Sequence, residues 1–437
     1  MAASWAAEGQ RLTKEMSVAQ DAVRQSSRAR YGTQTALSLK HFSGHGRRFG
    51  DVPAFVRNYA RIKQAAAMAN RALGVLDSQR AQAIITACSE IVAGEHAEQF
   101  PTGLVLGGGG TTTNMNINEV IADRAAEIAG IDVHPNDHVN ASQSTNDTFP
   151  SAMALTIMDA AQAPLAAARE LAVELERSAQ KHGETRYLGR TCLQDAVSVA
   201  AGATMRGQAR AVRRGAEQLA HAVGELADLP LGATVLGTSI GAPEGFAQEC
   251  IAALGELTGT EVREAEDLFD AMAHFDPYAA IADAGSRLAV TIAKIGGDLR
   301  LRSSGPHGGF AEVTLPALQA GSSIMPGKVN PVVPEYAMQL SYRVRGRAHT
   351  VRCAVAAGEL ELNVMEPIIL DSLLDICDDV RAMADAMATL CIAGLKWDGE
   401  RRVENLSRAL DSWVQLSTER GYDQATRALR ARDVADD

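Results

Sequence analysis

Apolar side chains recur at helical spacing along most of the chain. Between residues 51 and 98, Phe55, Tyr59 and Ile62 would share one helix face, and Ile84 and Cys88 repeat the pattern further on. The same periodicity predicts helices over about residues 118–128, 151–181, 195–228, 246–257, 275–303 and 334–392. The pattern therefore predicts a mainly α protein whose long helices pack as a bundle.

Composition supports this prediction and excludes several functions. Aromatic residues make up 4% of the chain and hydrophobic residues 46%, and a chain so poor in aromatics favours helix over sheet. The net charge of −11 argues against a nucleic-acid partner, because phosphate binding needs a basic face. No apolar run approaches the roughly 20 residues that span a bilayer. Six scattered cysteines without a CxxC pair indicate a reduced, cytoplasmic protein.

Neither a metal ion nor a nucleotide is predicted to bind. The ten histidines include no HExxH sequence, and Pro135 between His134 and His138 excludes a helical pair of metal ligands. The glycines at 107–110 are followed by threonines, without the lysine of a Walker phosphate loop. The chemistry is therefore expected to need neither a metal ion nor a nucleotide.

Four loops interrupt the predicted helices, at residues 107–116, 142–149, 189–196 and 319–331. All are rich in small polar residues and three of them contain glycine, and long loops inside compact helical proteins are often functional. In the fourth loop, Lys328 and Asn330 would point the same way from an extended segment and could bind a carboxylate. A serine nearby is a candidate base or nucleophile.

Five motifs occur in the order found in the fumarase/aspartase superfamily, which the chain resembles from about Tyr31 to Pro367. The signature sequence GSSIMPGKVNP is complete at residues 321–331. The other motifs are TTNMNINE at 112–119, HPNDHVNASQSTNDTFP at 134–150, GRTCLQDA at 189–196 and LELNVMEP at 360–367. Within the superfamily, QSTND and VMEP are more similar to aspartate ammonia-lyase than to fumarate hydratase.

The resemblance implies a mostly α-helical fold with a central long-helix bundle, assembled as a homotetramer whose active sites combine loops from three subunits. It also implies a reaction: anti elimination of a nitrogen group from an aspartate-like dicarboxylate to give fumarate, through an aci-carboxylate intermediate and without a cofactor. Three alternatives stay open. They are nitrite release from nitrosuccinate, fumarate hydration, and a non-catalytic structural role.

The resemblance also assigns roles to individual residues. Ser322 would remove the C3 proton, and Lys328 and Asn330 would bind the carboxylate beside the reacting carbon. The residues expected to hold the other carboxylate and the leaving group are Thr111, Thr112, Ser144, Thr145, Asn146, Thr191 and Cys192. The expected supporting residues are Ser323, Asn114, Gln194 and Glu335.

The chain departs from the family pattern at three positions. Cys192 stands where the family usually has histidine, or glutamine in some aspartases, so the usual relay between that histidine and a glutamate matching Glu335 cannot operate. A thiol is a weak hydrogen-bond donor, which argues against water activation and leaves the leaving group open. His307 replaces a common arginine, and Gly241 a usual asparagine.

The order of the motifs predicts three segments. Residues 1–145 would form an N-terminal helical domain with a substrate loop, and residues 146–396 a central bundle that carries the signature loop. Residues 397–437 would form a short C-terminal segment, in which the family's usual motif is not recognisable.

Overall fold

The computed structural model describes residues 29–42, 45–397 and 399–436. The helices are α1 (Thr33–His41), α2 (Pro53–Ala72), α3 (Ser78–Val92), α4 (Thr111–Ala129), α5 (Thr145–Lys181), α6 (Ala201–Gly224), α7 (Phe246–Thr258), α8 (Leu268–Ala273), α9 (Asp276–Arg302), α10 (Val332–Val355), α11 (Glu366–Ala386), α12 (Glu400–Leu406), α13 (Asp411–Arg420) and α14 (Tyr422–Asp436). The predicted mainly α class is confirmed. None of these helices is both long enough and apolar enough to cross a membrane.

Two small sheets accompany the helices. Strands β1 (Arg186–Thr191) and β2 (Gln194–Ala200) form an antiparallel hairpin. The two-residue strands β3 (Asp228–Leu229) and β4 (Arg263–Glu264) pair in parallel.

The chain divides into two compact units. Unit 1 contains the described residues up to Gln162, together with Ala220–Asp283 and Gly346–Ile376. Unit 2 contains Ala163–Leu219, Ala284–Arg345 and the described residues from Cys377 onward. The division into segments 1–145, 146–396 and 397–437 stays a prediction.

Several predicted element boundaries were wrong. The helix predicted from residue 195 starts at Ala201, because residues 194–200 form β2. Val197 and Val199 in this strand are β-branched, and Val199 pairs with Tyr187 of β1. The helix predicted over 334–392 is two helices, separated by residues 356–365.

Two of the predicted loops are partly helical. Thr111 is the first residue of α4 and Thr145 the first of α5, so both loops deliver their polar residues to helix N-termini. Gly110 immediately precedes α4 with φ of 80°. A Cβ atom there would lie 2.1 Å from Cδ2 of Phe149, so glycine is required both for this conformation and for the close approach to α5.

An aromatic cluster forms much of the core of unit 1. Phe49, Phe55, Tyr59, Phe100 and Phe149 are all buried. Their rings meet mainly edge to face, with centroids 5.2 Å apart for Phe55 and Phe149 and 5.3 Å apart for Phe49 and Phe100. Five aromatic residues therefore pack together around the base of α5, where the QSTND motif lies.

In unit 2, the C-terminal segment packs on the β-hairpin. Trp397 stacks on Tyr187 of β1 with ring centroids 4.8 Å apart. The Asp411 carboxylate at the start of α13 accepts hydrogen bonds from the Ser198 backbone N–H (2.9 Å) and hydroxyl (2.8 Å). Leu410 N also donates to Ala196 O at 3.0 Å. This segment therefore holds the hairpin that carries the GRTCLQDA motif.

Candidate active site

A cavity of about 330 Å³ lies in unit 1, where α4 and α5 begin. Three of the predicted site residues line it: Asn114 from α4, and Ser144 and Thr145 at the start of α5. Asn114 Nδ2 donates to Thr145 Oγ1 at 3.0 Å, so the two helix N-termini are joined at the cavity wall. The structure thus brings together residues from two separate motifs.

Asp147 fixes the walls of this cavity from behind. Its side chain is fully buried, and its carboxylate accepts the backbone N–H groups of Ser144 (3.0 Å), Gly232 (3.2 Å) and Thr234 (2.9 Å). Burial raises the pKa of Asp147 to about 6, while these N–H donors and Lys63 act in the opposite direction. The carboxylate therefore connects the start of α5 to the loop that follows β3.

Several oxygen atoms around the cavity are buried and unpaired. Among the described residues, Asn114 Oδ1, Gln143 Oε1 and Thr234 Oγ1 have no hydrogen-bond partner, and all three residues line the cavity. Buried polar atoms are nearly always paired, so these three oxygens, which lack a partner among the described residues, make the residues around the cavity candidates for ligand contact.

The other predicted residues of unit 1 do not line this cavity. Thr111 is exposed and donates from Oγ1 to Gly108 O at 2.7 Å, while Thr112 follows it in the first turn of α4. Asn146 donates its backbone N–H to Ser144 Oγ at 3.2 Å. Their predicted contacts with substrate stay predictions.

In unit 2, the signature loop is closed by its own hydrogen bonds. Gly321 N donates to Lys328 O at 2.8 Å, and Asn330 Nδ2 donates to Gly321 O at 2.9 Å. A Cβ atom on Gly321 would lie 2.6 Å from Lys328 O, so only glycine permits this closure. Ser323 is exposed at the outer side of the loop.

The Ser322 hydroxyl oxygen accepts two backbone hydrogen bonds. The N–H groups of Ile324 and Met325 donate to Oγ at 3.2 and 3.0 Å. Donors that point at an oxygen favour its anionic form. This loop geometry therefore suits a serine that must act as a base.

A second cavity, of about 550 Å³, lies beside the signature loop within unit 2. Lys328 and Asn330 line it together with His307, the residue that departs from the family pattern. The two residues predicted to bind one carboxylate therefore face a common space, as their spacing suggests.

Thr191, Cys192 and Gln194 lie at the tip of the β1–β2 hairpin, and all are exposed. Cys192 and Leu193 form its two-residue turn with φ of 53° and 61°. Such turns normally carry asparagine or glycine, because other side chains are strained at positive φ. Glu335 lies in the first turn of α10, and its Oε1 is 3.3 Å from Arg300 Nε.

One group of described residues has the spacing of metal ligands: Glu90, Glu95 and His96. Arg124 donates to both carboxylate oxygens of Glu90, at 2.7 and 2.8 Å, and thereby lowers the pKa of Glu90 to about 2. The arginine already neutralises the carboxylate that a cation would need.

The sequence analysis missed four polar residues at or behind the first cavity. These are Lys63, Asn140, Gln143 and Thr234. A signal for Lys63 was available, since it follows Tyr59 by four residues and Val56 by seven and so lies on the apolar face of α2. Thr234 gave no comparable signal, because its role depends on a loop brought to Asp147 by folding.

The fold and these loops are those of a helical lyase, and comparisons with known proteins agree. A lyase family model matches residues 14–346. A class II fumarate hydratase from Thermosynechococcus vestitus is 40% identical over 90% of this chain and 86% of its own length. An aspartate ammonia-lyase from Corynebacterium glutamicum is also 40% identical, over 84% of this chain and 72% of its own.

Solved structures give the same result. A fumarate lyase/delta crystallin from Brucella melitensis, solved bound to cobalt, superposes with a TM-score of 0.89 at 35% identity, covering 93% of this chain and 90% of that one. The chain belongs to the fumarase/aspartase superfamily of lyases, and the predicted family is confirmed.

Proposed function

We propose that this lyase eliminates the amino group of an aspartate-like dicarboxylate and forms fumarate. The unpaired oxygens of Asn114, Gln143 and Thr234, three residues that line the unit 1 cavity, carry this proposal. Two of them are amide oxygens that only accept, and an ammonium group offers three N–H donors, whereas a hydroxyl offers one donor and a nitro group offers none. The cavity thus favours an amine over the leaving groups of malate and nitrosuccinate.

The chemistry of the proposed elimination falls to the signature loop. Ser322 removes a proton from C3, the electron pair left on C3 forms the C2–C3 double bond, and the C2–N bond breaks to release the amine. The N–H groups of Ile324 and Met325 favour the serine anion. Lys328 and Asn330 stabilise the aci-carboxylate dianion, whose extra charge develops on the carboxylate beside C3.

Residues of unit 1 and unit 2 would take part in the same reaction if the protein forms a homotetramer with shared active sites. The homotetramer stays a prediction, and so does the cytoplasmic location. Cys192 supports an amine as leaving group, because a thiol is a poor partner for activating water. Fumarate hydration is the second candidate, since class II fumarate hydratases are as similar in sequence as aspartate ammonia-lyases.

A spectrophotometric assay tests the proposal. Fumarate formation is followed by ultraviolet absorbance with aspartate, malate, nitrosuccinate and argininosuccinate-type substrates at equal concentrations. We expect the highest kcat/KM with aspartate or an N-substituted aspartate. A higher kcat/KM with malate would select the hydratase, and one with nitrosuccinate would select nitrite release. No fumarate from any substrate, with a protein that is helical by circular dichroism, would refute all three.

A further inference from the structure

Lys63 is a lysine buried inside unit 1. It lies on α2 with no exposed surface, and its Nζ donates to Asn140 Oδ1 at 2.9 Å. Lysine is almost never fully buried unless it is paired, because its charge loses hydration. Its only close oxygen partner among the described residues is this amide, and Asn140 lines the candidate cavity. The lysine is thus one side chain away from the cavity.

Two further donors converge on the same amide oxygen. Asn114 Nδ2 lies 3.1 Å and Asn118 Nδ2 3.0 Å from Asn140 Oδ1. A protonated lysine has donors and no acceptor, so it demands that Asn140 turn its oxygen towards it. That oxygen in turn demands that both neighbouring asparagines present their nitrogens. The backbone oxygen of Gln143 supports the same orientation, because Asn140 Nδ2 donates to it at 3.1 Å, so the ammonium group and this carbonyl together orient the three amides.

The consequence reaches the cavity through Asn114. Its nitrogen is used twice, towards Asn140 and towards Thr145 Oγ1 at 3.0 Å, which leaves Oδ1 buried and unpaired. Asn118 Oδ1 is likewise buried without a partner among the described residues. The Asn114 oxygen is thereby kept as a buried acceptor in a residue that lines the cavity.

We propose that protonated Lys63 is a positioning residue that orients Asn140 and Asn114 so that the cavity accepts hydrogen bonds from a substrate amine. The inference rests on the proposed function. A neutral lysine has a lone pair and can accept a hydrogen bond, so Asn140 can then turn its NH2 group towards Lys63, giving up its own hydrogen bond to Gln143 O at 3.1 Å. Asn114 then gains by turning its oxygen to Asn140, and its nitrogen becomes a donor at the cavity.

The environment of Lys63 places this change near neutral pH. Burial lowers the pKa of Lys63 to about 7, while Asp147 on α5 opposes the shift. The other ionisable groups that act on it are Cys88 on α3 and Cys250 on α7. Burial raises the pKa of both thiols far above neutrality, so they stay uncharged there. Between pH 6 and 8.5, Lys63 is thus the member of this group that changes most, since Asp147 titrates lower.

Ligand binding to the full chain tests the inference, with Ser322→Ala included to stop turnover. Isothermal calorimetry measures Kd for L-aspartate and for L-malate from pH 6 to pH 8.5. We expect the aspartate-over-malate preference to fall roughly tenfold or more across this range, as a charged hydrogen bond is lost. The aspartate amine stays protonated throughout, so its own titration does not contribute.

Three variants separate positioning from mere packing. Lys63→Met should show the low preference at every pH. Asn140→Asp should keep the high preference at every pH, because a carboxylate accepts from Asn114 whatever the state of Lys63. Lys40→Met removes the same charge from an exposed position on α1 and should leave the pH profile unchanged.

The outcomes distinguish the two proposals. The role of Lys63 is overturned, and the proposed function is not, by either of two results. One is an aspartate-over-malate preference that does not vary with pH when residues 63 and 140 are unchanged. The other is a preference that still varies with pH in Asn140→Asp. If Lys63→Met does not fold, the wild-type profile and Asn140→Asp still decide. Failure to bind either ligand at any pH contradicts the proposed function and the inference with it.

Discussion

The unit 1 cavity is held from behind by buried side chains, whereas most candidate residues of unit 2 lie on exposed loops. Around the unit 1 cavity, Asn114 and Asp147 are buried and their partners are fixed by several hydrogen bonds. In unit 2, Ser323 and Lys328 of the signature loop and Cys192 at the hairpin tip are exposed. Two parts of one proposed mechanism are thus built with different rigidity.

This difference corresponds to two kinds of task. Recognition of a leaving group needs acceptors held in fixed directions, and a buried amide network provides that. Proton abstraction needs a base that closes over substrate and excludes water, and an exposed loop with glycines at positions 321 and 327 suits that. We therefore expect variants of the unit 2 candidates to change kcat. Variants around the unit 1 cavity should change both the free energy of unfolding and the preference between substrates.

Ser322→Ala is the strongest test of this contrast. Loss of a general base lowers kcat by about 10² to 10⁴-fold. Because the loop is exposed, thermal stability and Kd for aspartate should hardly change. Ser286→Ala, which removes a hydroxyl from α9 of the same unit, is the matched control and should retain full activity. If Ser322→Ala keeps more than a tenth of the rate, another group is the base.

The helices could be predicted from sequence because apolar periodicity is local. Their ends could not, because they depend on partners elsewhere in the chain. Residues 194–200 mix small and polar residues with the β-branched Val197 and Val199, and pairing with β1 and contacts to Asp411 make them a strand. Gly110 shows the same limit, since its need for glycine comes from Phe149, which is distant in sequence.

The candidate site was predicted as a set of motif residues but not as a network. Asn114, Ser144 and Thr145 were predicted and line one cavity, whereas their supports were missed. Lys63 sits in an apolar stripe and resembles an ordinary helical lysine until its burial is known. These supporting residues act because they lie close in space to the residues that line the cavity. A single sequence does not give those distances.

Lys63, which is buried behind the unit 1 cavity, should make the free energy of unfolding depend on pH. Lys63 has a pKa of about 7 in the folded chain and 10.5 as a free side chain, so between these values the unfolded state binds more protons. The unfolding free energy attributable to Lys63 therefore rises with pH, by up to about 1.4 kcal/mol per unit. Below pH 7, both states hold the proton and the slope disappears.

Urea denaturation at pH 7.5 and 9.5 gives the free energy of unfolding of the wild type and of Lys63→Met. The difference between the two proteins at each pH measures the contribution of Lys63. The wild type should gain stability relative to the variant as pH rises. Lys40→Met should follow the wild type, since its lysine is exposed. If the free energy of unfolding changes equally with pH in all three proteins, Lys63 keeps its ordinary pKa in the folded chain. Water then reaches its ammonium group although the side chain is buried.

The smallest expected effect concerns the hairpin of unit 2. Asp411→Ala removes the two hydrogen bonds that Ser198 donates to α13, which also hold the pKa of Asp411 below its usual range. Since these bonds are exposed, global stability should fall by less than about 1 kcal/mol. Amide hydrogen exchange should nevertheless quicken in β1 and β2, and KM should rise a few-fold if Thr191 contacts substrate. Asp423→Ala, at an exposed aspartate of α14, should change neither. Faster exchange with an unchanged KM would mean that the hairpin does not contact substrate. The signature loop would then be the functional part of unit 2.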